Sequence, residues 1–196
     1  MKNLFLPLPL RALATTAACA LLTASTLAQA PAPAAPGTAP AATPAPKPLG
    51  VSEKNFIKNV GKSTYFLVQV SSAAKAVFND PKDPLVKLRD TTIKDMNKTW
   101  EALNKIATVR GEKMTGELVG ADKSDIERLG KLKDDKFAKL WLETLVKEAK
   151  KLDKDFESAA RSLQDVEFKT FVANYTPAVR GVLTSSEAAE KNLKKK

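Results

Sequence analysis

Apolar residues recur at helical spacing through the last three quarters of the chain. From Ser52 onward, Phe56, Val60, Ser63, Leu67, Val70, Ala74 and Val77 fall close to the 3.6-residue period of one helix face. Asn79-Asp80-Pro81 ends that run. Asp83 then offers a capping side chain and Pro84 the favoured first helical position, so a second helix opens there. Its inward face reads Leu85, Leu88, Thr92, Met96, Trp100, Leu103 and Ala107, and Gly111 closes it. At 1.5 Å per residue, about 27 residues span roughly 40 Å. Residues 111–123 hold three glycines and predict a loop, after which Ser124 and Glu127 have capping-box spacing for a short helix. A third long helix carries Phe137, Trp141, Leu145, Ala149, Leu152, Phe156, Ala160 and Leu163 on one face. The last segment begins near Asp165 and places Phe168, Phe171, Val172, Val179, Val182, Leu183 and Leu193 on its apolar side. Thr176-Pro177 interrupts it, either as a kink or as a fresh start capped by Thr176, because proline lacks an amide hydrogen and crowds the preceding turn. No segment alternates with period two, so the expected fold is all-α, an up-down bundle of four main helices with a Pro-kinked last helix.

The pattern differs ahead of residue 51. Lys2 and Arg11, the apolar run over residues 12–24 and Ala28-Gln29-Ala30 have the order of a secretory signal peptide, expected over residues 1–30. Cleavage after Ala28 is an alternative to cleavage after Ala30, since Pro31 follows the latter. The run is shorter than the ~20 residues a membrane span needs, and no other run is longer, so no transmembrane helix is expected in the mature chain. Residues 31–50, PAPAAPGTAPAATPAPKPLG, hold seven of the 12 prolines and read as a disordered, extended linker. Residues 51–196 are long enough for one domain. These features predict a periplasmic or secreted protein.

Composition narrows the chemistry. The 196 residues carry a net charge of +10, one cysteine and no histidine. Without histidine there is no imidazole base and no commonest metal ligand, and Ser-His and Cys-His pairs are excluded. The lone Cys19 lies in the signal segment, where it is either removed or, as the less favoured reading, lipidated. Once it is removed, thiolate chemistry and disulfides are excluded as well. Ser72 and Lys75 match a Ser-x-x-Lys spacing, but the companion Ser-Asp-Asn and Lys-Thr-Gly elements are missing. Asp90, Asp95, Glu101, Glu143, Glu148, Asp153 and Asp155 are interspersed with lysines, the pattern of a solvated surface. Trp100 and Trp141 take core positions. At the C-terminus, Lys191, Lys194, Lys195 and Lys196 can attract anionic lipid or polymer, or can simply complement a helix end.

Residues 88–103 (LRDTTIKDMNKTWEAL), 137–149 (FAKLWLETLVKEA) and 176–183 (TPAVRGVL) resemble the bacterial family DUF4142. The resemblance covers about residues 53–193 and implies a ferritin-like bundle exported to the periplasm or envelope. The family pattern pairs acid with histidine in both middle helices. Here Asp95 and Glu148 keep the acids, while Met96 and Ala149 stand where histidine is expected, and Gly181 and Val182 replace it in the last helix. The expectation is therefore a non-enzymatic bundle without cofactor, contacting an envelope protein or anionic surface and not nucleic acid. A carboxylate-only metal site at Asp95 and Glu148 and a contact through the lysine tail are the two alternatives.

Overall fold

Five helices account for most of the computed structural model, which describes residues 48–195. They are α1 (Val51–Ala73), continued by a short 3-10 turn at Ala74–Ala76, then α2 (Pro84–Val109), α3 (Ala121–Gly130), α4 (Asp134–Ser162) and α5 (Val166–Leu193). No strand occurs among the described residues. The signal-peptide reading, Cys19, nearly all of the linker (residues 31–47) and Lys196 lie outside the described residues.

Local chemistry sets the boundaries. The Asp83 carboxylate accepts the Leu85 amide at 2.8 Å with Pro84 in the first helical position, and Asp165 caps α5 by accepting the Glu167 amide at 2.9 Å. Gly111, at φ 76°, turns the chain out of α2 through a conformation that glycine adopts without strain. One expected start is corrected: α3 begins three residues before Ser124, because Gly120 at φ 58° makes the entry turn. Ser124 therefore lies inside α3 and its hydroxyl bonds the Gly120 carbonyl at 3.3 Å. The last helix is also not restarted at Thr176. Instead α5 runs unbroken through Pro177, and the Thr176 hydroxyl donates to the Val172 carbonyl at 2.6 Å. Pro177 and Ala173 are both exposed, so the carbonyl that loses its amide partner lies on the solvent side.

The four long helices form a ring in the order α1, α2, α5, α4, with α1 and α5 at one pair of opposite corners and α2 and α4 at the other. Lys54 pairs with Glu112 at 2.7 Å and Arg110 with Asp165 at 2.7 Å. These pairs put the start of α1, the finish of α2 and the start of α5 at one end, called here the Arg110 end. The starts of α2 and α4 share the other, the Pro84 end. Every neighbouring pair is thus antiparallel, and this up-down packing is reached through one long crossover, residues 110–133, from α2 to α4. That is the connectivity of ferritin-like bundles. The crossover lies along α1, where Met114 covers Gly61, Tyr65 covers Gly116 and Lys62 meets Asp122 at 3.1 Å.

The core follows the apolar faces closely. Phe56, Val60, Leu67, Met96, Leu103, Trp141, Leu145, Leu152, Phe156, Phe168 and Val182 are all buried in one cluster. Trp100 is only half-buried, tilted against Tyr65 at 6.5 Å, so it belongs to the edge of the core. On α4 Ala159 is buried and the expected Ala160 is exposed, while Phe156 and Leu163 on either side are buried as expected.

Candidate functional site

The two acids singled out for metal binding are not brought together. Asp95 belongs to α2 and Glu148 to α4, at opposite corners, while Met96 and Ala149 beside them are buried in the core. Glu148 turns toward α1, where it accepts the Ser63 hydroxyl at 2.6 Å and the Lys151 ammonium at 2.9 Å. Lys151 also reaches Ser63 Oγ at 3.3 Å. Ser63 is fully enclosed at 0 % exposure, so this triad is a hydrogen-bonded clasp between two helices. One turn further along α4, Asp155 has Oδ2 buried, and no donor reaches it among the described residues. Burial raises the Asp155 pKa; Lys151 acts against that and Glu148 adds to it. Asp155 borders a shallow pocket of about 220 Å³ with Ser52, Asn55, Asn59, Ser158 and Ser162. One carboxylate with neutral oxygens is a thin donor set for a hard cation, which takes six to eight oxygens as calcium. Among the described residues no three His, Cys, Asp or Glu side chains stand close enough to hold a metal ion. Ser72 is half-buried and Lys75 exposed, both at the finish of α1.

The Pro84 end is open. A groove of about 1090 Å³ runs between the α1–α2 turn, the first turn of α4 and the last turns of α5. Its floor is apolar, made by Phe78, Leu85, Leu88, Ala138 and Val182. Arg89, itself buried, fixes the turn by donating to the Phe78 carbonyl and to Asp90. That hydrogen bond from Arg89 holds the Asp90 carboxyl below its ordinary pKa. Behind the floor, Phe78 packs on Phe137 at 5.7 Å and on Trp141 at 5.3 Å.

The rim of the groove carries four aspartates, Asp80, Asp83, Asp134 and Asp135, against two lysines, Lys82 and Lys87, in a chain whose net charge is +10. Asp80 and Asp83 cap backbone amides at 2.9 and 2.8 Å, and Asp134 and Asp135 occupy the first turn of α4, where the helix dipole favours anions. None of the four forms an ion pair among the described residues. Beside them lies the lysine tail: Lys191 and Lys195 are exposed, and Lys194 is held by Glu190 at 2.7 Å. The groove was not foreseen from sequence because three separate segments build it. The available signal was the set of small residues Gly181, Ser185, Ala188 and Ala189 spaced along one side of the last helix.

Among the described residues no helix is long and apolar enough to cross a membrane. A family model described as "Domain of unknown function (DUF4142)" matches residues 35–189. No curated protein and no solved structure matches the chain.

Proposed function

The chain belongs to the DUF4142 family, and from that premise we propose that it is an exported, non-enzymatic bundle of the envelope that works by docking a partner at its Pro84 end. The observation that carries this reading is the open groove there, with its apolar floor and its rim of four aspartates that have no ion pair among the described residues. A cleft of this size exceeds what a rigid core leaves empty, and an apolar floor with a charged rim suits an amphipathic partner. The sign of the rim selects a cationic one. The signal-peptide pattern of residues 1–30 supports export.

Trp141 lies directly behind Phe78 and gives the test its reporter. In a Trp100→Phe background, titration with a synthetic amphipathic helix of leucine and lysine is expected to shift Trp141 emission saturably. Cell fractionation is expected to recover the processed chain outside the cytoplasm. An emission unchanged by the peptide, or a chain retained unprocessed in the cytoplasm, would end the respective half of the reading.

A further inference from the structure

The groove and the lysine tail occupy the same end of the molecule yet do not neutralise each other. No ion pair joins Lys191, Lys194 or Lys195 to a rim aspartate within one chain; Lys194 reaches only Glu190, and Lys191 and Lys195 form no ion pair among the described residues. The last turns of α5 form one wall of the groove through Ala189 and Leu193. On the same helix Gly181, Ser185 and Ala188 are exposed, and a Cβ added at Gly181 would meet nothing within 4 Å. Another helix can approach closely along that side. A partner that carries a small-residue helix face, an apolar residue and a run of lysines is therefore already defined by this chain's own C-terminal helix.

Resting on the docking reading above, we infer that the occupant is a second copy of the chain, paired about a two-fold axis. The last turns of α5 from each copy lie in the groove of the other, with Lys191, Lys194 and Lys195 facing Asp80, Asp134 and Asp135. The contact is isologous, so both sets of charges are matched twice by one arrangement. Complementary charge of this kind raises association rate and fixes register, while the apolar floor and Leu193 supply area removed from water.

The test is sedimentation velocity on the full chain as its host processes it. At ~0.01 M salt, where the screening length is roughly 30 Å, a dimer is expected; at ~1 M salt, where it is roughly 3 Å, the dissociation constant is expected to rise at least about 10-fold. Two charge reversals, Asp134→Lys with Asp135→Lys in one protein and Lys191→Glu with Lys195→Glu in another, are each expected to weaken self-association by roughly 100-fold, because like charges then face each other. Mixing the two variants is expected to restore a heterodimer, a result that misfolded proteins cannot give. A wild-type chain that remains monomeric at low salt overturns the inference, as does a mixture that fails to associate while both variants keep wild-type circular dichroism. If that monomer still shifts Trp141 emission with the leucine-lysine peptide, the docking reading stands and only the second copy is lost. If it instead binds vesicles of anionic lipid through Lys191 and Lys195, the tail serves a surface and the two-fold pairing is wrong.

Discussion

The two ends of the bundle are built from the same helices and have opposite characters. At the Arg110 end, Phe56 meets Phe156 at 5.8 Å, Phe168 at 6.1 Å and Phe171 at 6.0 Å, and Tyr175 stacks on Phe171 at 4.8 Å. Arg110 seals the outside by binding Asp165 at 2.7 Å and Glu167 at 3.2 Å. At the Pro84 end, Phe78, Phe137 and Trp141 close the core beneath, but the corresponding part of α5 carries Gly181, Ser185, Ala188 and Ala189, and the space beside it is an open groove. The contrast is written within a single helix, whose first half plugs and whose second half leaves room. α5 therefore contributes aromatic packing at one end and leaves an open groove at the other.

Breaking the plug gives the largest expected effect. Phe56→Ala removes a ring that touches three others and is expected to cost about 3–5 kcal/mol, read from denaturant unfolding. Leu193→Ala in the partly buried groove wall is expected to cost less, about 1 kcal/mol by the same measurement, since the side chain stays partly in water and its loss into an open groove leaves no closed cavity. Equal losses at the two positions would erase the distinction between the ends.

Next in size is Arg110→Ala, expected to cost roughly 1–2 kcal/mol at neutral pH because the half-exposed acids are partly rescued by solvent. The Asp165 carboxyl would rise on burial alone, but Arg110 and the amides of Glu167 and Phe168 outweigh that and hold it below its ordinary value. A carboxyl depressed in the folded state binds its proton less readily than the unfolded chain does. Its contribution is complete above the unfolded value of about 3.9 and fades as pH falls through the folded value. Urea midpoints measured from neutral to acid pH are expected to show a shallower acid loss in the Arg110→Ala protein than in the wild type.

Two substitutions are expected to stabilise. Gly181→Ala adds a methyl into open space in a helix interior and is expected to gain about 0.5–1 kcal/mol. Asp155 gives the smallest effect. Its pKa is raised, so its contribution is complete below the unfolded value and lost as pH rises through the folded one, the reverse of Asp165. Asp155→Asn is expected to raise the thermal midpoint slightly at neutral pH and not in strong acid. A midpoint that falls at neutral pH would show that the charged carboxylate is doing something favourable in its pocket.

What could be read in advance was local. Asp83 with Pro84 and Asp165 announce their helices because a cap acts within three residues, and the apolar faces of α1, α4 and α5 repeat over enough turns to fix their phase. Ser124 misled because a capping-box spacing says nothing of Gly120, whose left-handed backbone opens the helix earlier. The ring order was beyond local pattern, since nothing in the faces of α2 and α4 tells diagonal from adjacent placement. For the same reason the groove stayed hidden, and Glu148 could be marked as an acid of interest without its partner Ser63, 85 residues away, being visible.

The crossover over residues 110–133 has a consequence for how the molecule can be divided. It is the one link between a hairpin of α1 with α2 and a hairpin of α4 with α5, and much of it is exposed, with Gly111, Gly116 and Gly120 along it. The buried surface that joins the hairpins does not depend on that link being covalent. A protease nick in this stretch, or separate synthesis of the two halves, is expected to yield fragments that reassemble into one particle, so the chain behaves as a pair of interlocking parts tethered by a strap.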